Sequence, residues 1–297
     1  MKRIILFVIT NIAVLMTLGL LFNIVCAFFG TSLEAVLGPD WTTLAIFAVI
    51  YGFLGSIVSL LLSKPMAKMS MKAKTIDGSE GEAERWLVQT VAELARQANL
   101  KTPEVAVYPG AANAFATGAF RNSALVAVST DIMGQMTRTE LKAVLGHEMS
   151  HVANGDMVTM SLLQGVLNVF AIFFAHVLAR ALSSAGKERR TSGSSYYFLS
   201  RIFQMVLSVA GAVVVMAYSR RREYAADKGS ARLLGSPMPM IAALQRLGNL
   251  RPGVLPDSLR AMGIAAAGDR IASLFASHPP LEDRVAALQK LTPTDLM

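Results

Sequence analysis

Two histidines stand four residues apart, with a glutamate after the first, at His147–Glu148–Met149–Ser150–His151. Four residues make about one helical turn, so both imidazoles fall on one face and can reach one ion together. A catalytic zinc takes three protein ligands and leaves a fourth position for water. Glu148 follows the first histidine, where it can accept that water's proton. The competing reading is a polar helix face with two solvated histidines. The apolar neighbours Leu141, Val144 and Leu145 argue against it, as does the capping-box spacing of Thr137 and Glu140. The pattern predicts one zinc per chain and metal-assisted hydrolysis.

A third ligand is still required. The long zincin pattern would need glycine at Asn154 and histidine at Met157, so that subclass is rejected. Asp156 is near in sequence but about one helical turn too far along. The better candidate is Glu223, in Arg222–Glu223–Tyr224–Ala225–Ala226–Asp227. A glutamate followed four residues later by aspartate puts two carboxylates on one helix face. Glu223 can then bind metal while Asp227 accepts a hydrogen bond from a ligand histidine and fixes its tautomer. The plainer reading makes Glu223 a surface partner of the adjacent arginines.

The elements that must bring these residues together are mostly apolar. Of 297 residues, 53% are hydrophobic and 16% charged, well below the ~25% of a soluble globule. Four runs at 4–29, 43–62, 158–182 and 198–218 approach or exceed the ~20 residues a membrane-spanning helix needs. The first reads as an uncleaved anchor, too long for a usual signal peptide. The only cysteine, Cys26, lies within it, which excludes an intramolecular disulfide framework. The net charge of +8 gathers beside the runs, which fits anionic lipid headgroups better than nucleic acid.

The predicted organisation is an N-terminal hairpin (1–62), a catalytic part with a short sheet (63–157), a second apolar hairpin (158–218) and a helical C-terminal part (219–297). Lys2 and Arg3 before the first run, Lys64, Lys68, Lys72 and Lys74 after the second, and Arg220–Arg222 after the fourth put these flanks in the cytoplasm. Arg220–Arg222 read as an interfacial anchor. Two features leave a full crossing of the second hairpin open. Its loop holds Lys187, Arg189 and Arg190, and its first arm holds Gln164, Asn168, His176 and Arg180, costly in lipid. His176 reads as a buried residue without a catalytic part. In the catalytic part, 82–98 reads as a helix, 104–108 and 124–129 as strands, and 113–118 as a further extended segment. The ends of the second hairpin would bring His151 and Glu223 to one membrane surface.

These residues, with Asn154–Gly155–Asp156, Asn113–Ala114–Phe115–Ala116–Thr117–Gly118 and Ser277–His278–Pro279–Pro280, resemble the HtpX heat-shock protease family, related to the CAAX prenyl endopeptidases. The resemblance runs nearly end to end. It implies a mainly α fold with a small β component: a polytopic helical membrane protein with a gluzincin-like metalloprotease domain. It implies a bacterial inner-membrane zinc endopeptidase, active site towards the cytoplasm, that removes damaged or misfolded membrane proteins, often alongside an ATP-dependent membrane protease. Zinc would sit on His147, His151 and Glu223, with Glu148 as base. Of the other matching segments, 113–118 could be an edge strand that pairs with extended substrate, and Asn113 could donate to it or be a turn residue. His278 could stabilise an oxyanion or only mark a helix entry. Two further readings stay open: a non-catalytic scaffold with structural zinc, and a processing protease for one dedicated substrate.

Overall fold

The computed structural model describes residues 41–185, 193–249 and 278–296. The run at 4–29, Cys26 and the basic loop at 187–190 lie outside the described residues. The described chain forms two compact units. One takes the chain up to Val58 and Ser161–Ala212; the other takes Ser59–Met160 and Val213–Met297.

The first unit is helical. Helix α1 (Trp41–Ser70) and α5 (Asp156–Ala185) contribute to it, as does the start of α6 (Gly193–Leu234). All three helices are long and apolar enough to cross a membrane by length and composition. Within the unit α1 and α5 meet through small residues. A methyl group on Gly52 would lie 2.6 Å from Val169, and one on Gly165 would lie 2.7 Å from Phe53. Ser161 Oγ donates to the Ser56 carbonyl at 2.7 Å. Close backbone approach with hydrogen-bonded serine suits helices packed in lipid, where apolar burial gives little drive. The polar residues of α5 find partners too. Gln164 Nε2 donates to Asn168 Oδ1 at 2.9 Å, and His176 Nδ1 donates to the Ile172 carbonyl at 2.8 Å.

The second unit holds a four-stranded sheet of β1 (Lys74–Ile76), β2 (Glu104–Tyr108), β3 (Ala114–Thr117) and β4 (Leu125–Ser129), in the order β1-β2-β4-β3. The inner pair is parallel and both outer pairings are antiparallel. The short strand β1 is an addition to the sequence expectation; its three residues are too few for an alternation to register. β4 is buried along its whole length, as its apolar run demands. Helix α2 (Glu82–Gln97) packs Leu87, Val91 and Leu94 into the core, the i, i+4, i+7 stripe of an amphipathic helix. A short helix α3 (Thr130–Gln135) leads to α4 (Arg138–Asn154). The α4 capping box forms: Thr137 N–H donates to Glu140 Oε2 at 2.8 Å, and Glu140 N–H to Thr137 Oγ1 at 3.3 Å. Helices α7 (Met238–Asn249), α8 (Leu281–Gln289) and α9 (Pro293–Leu296) complete the unit. Leu244 and Leu288 enter the same core as α2.

Two lysines counted as flanking charge face the sheet. Lys64 and Lys68 both bind the Glu104 carboxylate, at 2.7 and 2.5 Å. The fourth apolar run also continues without a break. Helix α6 extends past Tyr218 to Leu234 and therefore carries Glu223 and Asp227 on the same rod.

Inside the second unit α4 and α6 cross closely, and small residues permit it. Ser230 Oγ donates to the Ala143 carbonyl at 2.7 Å, and Ser150 Oγ to the Gly146 carbonyl at 2.7 Å. A methyl group on Gly229 would lie 2.7 Å from Ser150 Cβ and closer still to its hydroxyl. Gly229→Ala should therefore lower stability by about 1–3 kcal/mol through overpacking. Thermal unfolding in detergent reads this as a lower midpoint, partly restored in the Gly229→Ala/Ser150→Gly double variant. A Gly229→Ala protein that melts with wild type would show that the crossing has slack.

Candidate metal centre

Helix α4 presents His147, Glu148 and His151 towards α6, which presents Glu223 and Asp227. The two rings stand perpendicular with centroids 4.6 Å apart. Their Nε2 atoms are 3.1 Å apart; His147 Nε2 is 3.5 Å from one Glu223 oxygen and His151 Nε2 is 3.3 Å from the other. Three ligands at zinc-like bond lengths and tetrahedral angles lie roughly 3.4 Å from one another. Each ring nitrogen is near that distance from one of the two Glu223 oxygens, and one ligand atom from each residue lies within 4.8 Å of the others. Among the described residues these three side chains form the group able to hold a metal ion.

The other ring nitrogens are committed. His147 Nδ1 is 2.9 Å from Asp227 Oδ1, the pairing that the Glu223/Asp227 spacing suggested. His151 Nδ1 is 2.6 Å from Asp156 Oδ2. Asp156 is thus not a metal-facing group but the orienting acceptor of the second histidine. It reaches back because α4 ends at Gly155 in the left-handed region (φ 67°), which glycine adopts without strain. Two arginines close the outer side. Arg284 grips Asp227 and lies 3.4 Å from Glu223. Arg222 pairs with Asp156 at 2.9 Å, so it faces the site and is not an interfacial anchor.

Asp156, Arg222 and Arg284 were not assigned to the site from sequence. Asp156 had a usable signal in its position five residues after His151. Arg284 had none, since it arrives from α8. Glu148 is half-buried and accepts the Ala116 N–H at 2.8 Å, so edge strand β3 abuts it. Asn113 lies at the start of that strand with an exposed side chain. Its main chain is tied to Ser129, whose N–H it accepts at 2.9 Å and whose hydroxyl accepts its own N–H at 3.0 Å. His278 reaches the site by donating from Nδ1 to Glu223 Oε2 at 2.6 Å, while 64% of its side chain remains exposed.

Four carboxylates (Glu148, Asp156, Glu223, Asp227) face two guanidiniums (Arg222, Arg284), leaving two negative charges where the imidazoles are neutral. A divalent cation balances them; in its absence protons do. Burial pulls His147 down, but the Asp227 and Glu223 carboxylates outweigh it and lift it from 6.5 to about 9. His151 is raised too: burial opposes, Asp156 and Glu223 prevail. Burial raises Glu148, with the nearby histidines opposing.

The model of peptidase family M48 matches residues 82–292. A relative named Protease HtpX homolog, from Verminephrobacter eiseniae (strain EF01-2), is 49% identical over 298 residues, covering 97% of this chain and 98% of its own. Another of that name, from Janthinobacterium sp. (strain Marseille), is 48% identical, covering 98% and 100%. Among solved structures, Ste24p of S. mikatae superposes with a TM-score of 0.62 at 19% identity, covering 96% of this chain and 67% of that one. At that identity the likeness speaks for the fold alone.

Metal binding needs unprotonated Nε2 atoms, so a proton held by His147 up to about pH 9 competes with the ion. Apparent metal affinity should rise with pH by at least about tenfold per unit below about pH 9, more steeply where His151 also gives up a proton, and then flatten. Chelator competition at four pH values measures this; an affinity independent of pH would contradict it. The sign for folding is opposite. Without metal, the stabilisation from protonated His147 is full below 6.5 and lost as pH rises through about 9.

Proposed function

The chain is a membrane metalloprotease belonging to peptidase family M48, and we propose that it is a zinc endopeptidase that cleaves misfolded or damaged membrane proteins. The observation that carries the zinc assignment is the 3.1–3.5 Å spacing of two imidazole nitrogens and one carboxylate. His147, His151 and Glu223 are the ligands in this reading. Nitrogen and oxygen donors of this kind suit zinc, and three of them leave a coordination position for chemistry. A structural zinc scaffold would use four closed ligands, chiefly cysteine, so that alternative is not favoured.

The bound ion would polarise the scissile carbonyl and bring the pKa of water towards ~7. Glu148 accepts the proton released as water attacks the carbonyl carbon, then returns it to the leaving amine nitrogen as the C–N bond breaks. Its raised pKa suits both transfers. Asp227 fixes the tautomer of His147. Extended substrate adds to the open edge of β3, where Ala116 N–H now meets Glu148 and Asn113 offers an exposed amide. His278 donates its Nδ1–H to Glu223, and in the doubly protonated ring the exposed Nε2–H would be the donor that meets a substrate carbonyl or a developing oxyanion.

The reading places the protein in the bacterial inner membrane with the site on the cytoplasmic side. Exposed Lys72, Lys74 and Arg221 beside the apolar helices support that side. The work would be stress-linked quality control, alongside an ATP-dependent membrane protease. Substrates among membrane proteins fit a site whose ligands flank the apolar stretches of α5 and α6.

Glu148→Gln should keep about one zinc per chain and lower cleavage of an unfolded protein by about 10²–10⁴-fold. Metal analysis and a protease assay on the same preparation test both halves. Wild-type cleavage by the variant would remove Glu148 as base, and a Glu223→Ala protein with undiminished zinc affinity would remove the third ligand.

A further inference from the structure

We infer that Arg284 and Arg222 are positioning residues for metal binding, each locking one imidazole through its own aspartate. The inference rests on the zinc reading above. The two arrangements are parallel. Behind His147 stands Asp227 and behind Asp227 stands Arg284; behind His151 stands Asp156 and behind Asp156 stands Arg222. The four outer residues come from three distant parts of the chain: the start of α5, the far end of α6, and α8.

The geometry says what each arginine does. Arg284 is 6% exposed and takes Asp227 in a two-point grip, Nε to Oδ2 at 2.8 Å and Nη2 to Oδ1 at 2.6 Å. A planar guanidinium matches a carboxylate in this way and an ammonium does not. Asp227, so held, stays ionised and cannot turn, and Oδ1 remains aimed at His147 Nδ1 at 2.9 Å. An ionised acceptor at Nδ1 keeps a proton on that nitrogen, so the neutral imidazole is the tautomer whose Nε2 is bare for metal. Without the grip the aspartate can rotate, and the tautomer with its proton on Nε2, which cannot ligate, gains population.

Arg222 holds Asp156 less completely. Its Nη2 meets Oδ2 at 2.9 Å and its Nη1 donates to the Asp156 main-chain carbonyl at 3.2 Å. Among the described residues its Nε has no hydrogen-bond partner. One carboxylate contact is a point charge's work, so lysine can replace this arginine better than it can replace Arg284.

The test is equilibrium zinc affinity of the purified full-length protein in detergent, by chelator competition, with the cobalt absorption spectrum as a second readout. Arg284→Gln should bind zinc about 10–100-fold more weakly, the range for lost outer partners of metal ligands. Arg222→Gln should lose less, Arg222→Lys should recover most of that loss, and Arg284→Lys little of its own. Because each arginine acts through its aspartate, the Arg284→Gln/Asp227→Asn variant should be no weaker than Asp227→Asn alone, and Arg222→Gln/Asp156→Asn no weaker than Asp156→Asn. A merely architectural role would give additive losses and an unchanged cobalt spectrum. Either additivity, or affinities within twofold of wild type for both glutamine variants, overturns the inference. If Arg284→Gln does not fold, the Arg222 and Asp156 set decides alone, since the Arg222 side chain is 14% exposed and better tolerates change. His147→Ala serves as control: zinc binding as tight as wild type there would sink the zinc reading itself rather than the roles of the arginines.

Discussion

Two helices that cross closely enough to bring His147 and His151 of one beside Glu223 of the other set the terms for the rest of the second unit. Helix α4 supplies neutral donors and α6 supplies a charged one. The distance between them is fixed by residues with almost no side chain. Gly146 and Gly229 face Ser230 and Ser150, with no room for a methyl group at either glycine without displacement. A larger residue at the crossing would push the rods apart and stretch the 3.3–3.5 Å contacts between imidazole and carboxylate. The small residues at the crossing therefore help set the geometry of the candidate metal site, although none of them belongs to the His147–His151–Glu223 group.

The same crossing concentrates charge. Burying Asp156, Glu223 and Asp227 beside the half-buried Glu148 is costly unless each finds a partner. Arginines meet two of them, a backbone N–H meets Glu148, and the imidazoles meet Glu223. What remains is two negative charges, the amount that one divalent ion or two protons neutralise. Folding and metal loading are linked for this reason. The apo site can exist because His147 and His151 accept protons strongly, and that basicity is what the ion must overcome. Stability and affinity thus draw on the same ionisations with opposite dependence on pH.

The central motif was legible because helical periodicity converts sequence spacing directly into shared space. His147, Glu148 and His151 are local, and the capping box fixed where their helix begins. Glu223 and Asp227 were legible for the same local reason. Their meeting with α4 needed one long-range idea, a hairpin whose ends return to one place. Edge strand β3 was expected from its place between two β-branched runs and from the resemblance, whereas β1 was too short to show. The failures are all long-range. Arg222 looked like a headgroup anchor because its neighbours and the preceding apolar run gave that context; only the arrival of Asp156 turns it inward. Lys64 and Lys68 gain a partner that no local pattern announced, since Glu104 meets them from about forty residues away. Arg284 carried no pattern at all, because a lone arginine in a short amphipathic helix has its meaning only where that helix docks.

That docking gives the C-terminal segment a larger role than its length suggests. Residues 278–296 reach α6 at three levels: His278 on Glu223, Arg284 on Asp227, and Asp295 on Lys228 and Arg232. Leu288 anchors the same segment in the core beside α2 and α7. A helix that carries a metal ligand at the end of a long apolar stretch is free to roll about its axis unless something beside it fixes the rotation. Three contacts spread from Glu223 to Arg232, about two and a half turns, define that rotation far better than one could. The last helices of the chain thereby set the angle at which Glu223 faces His147 and His151.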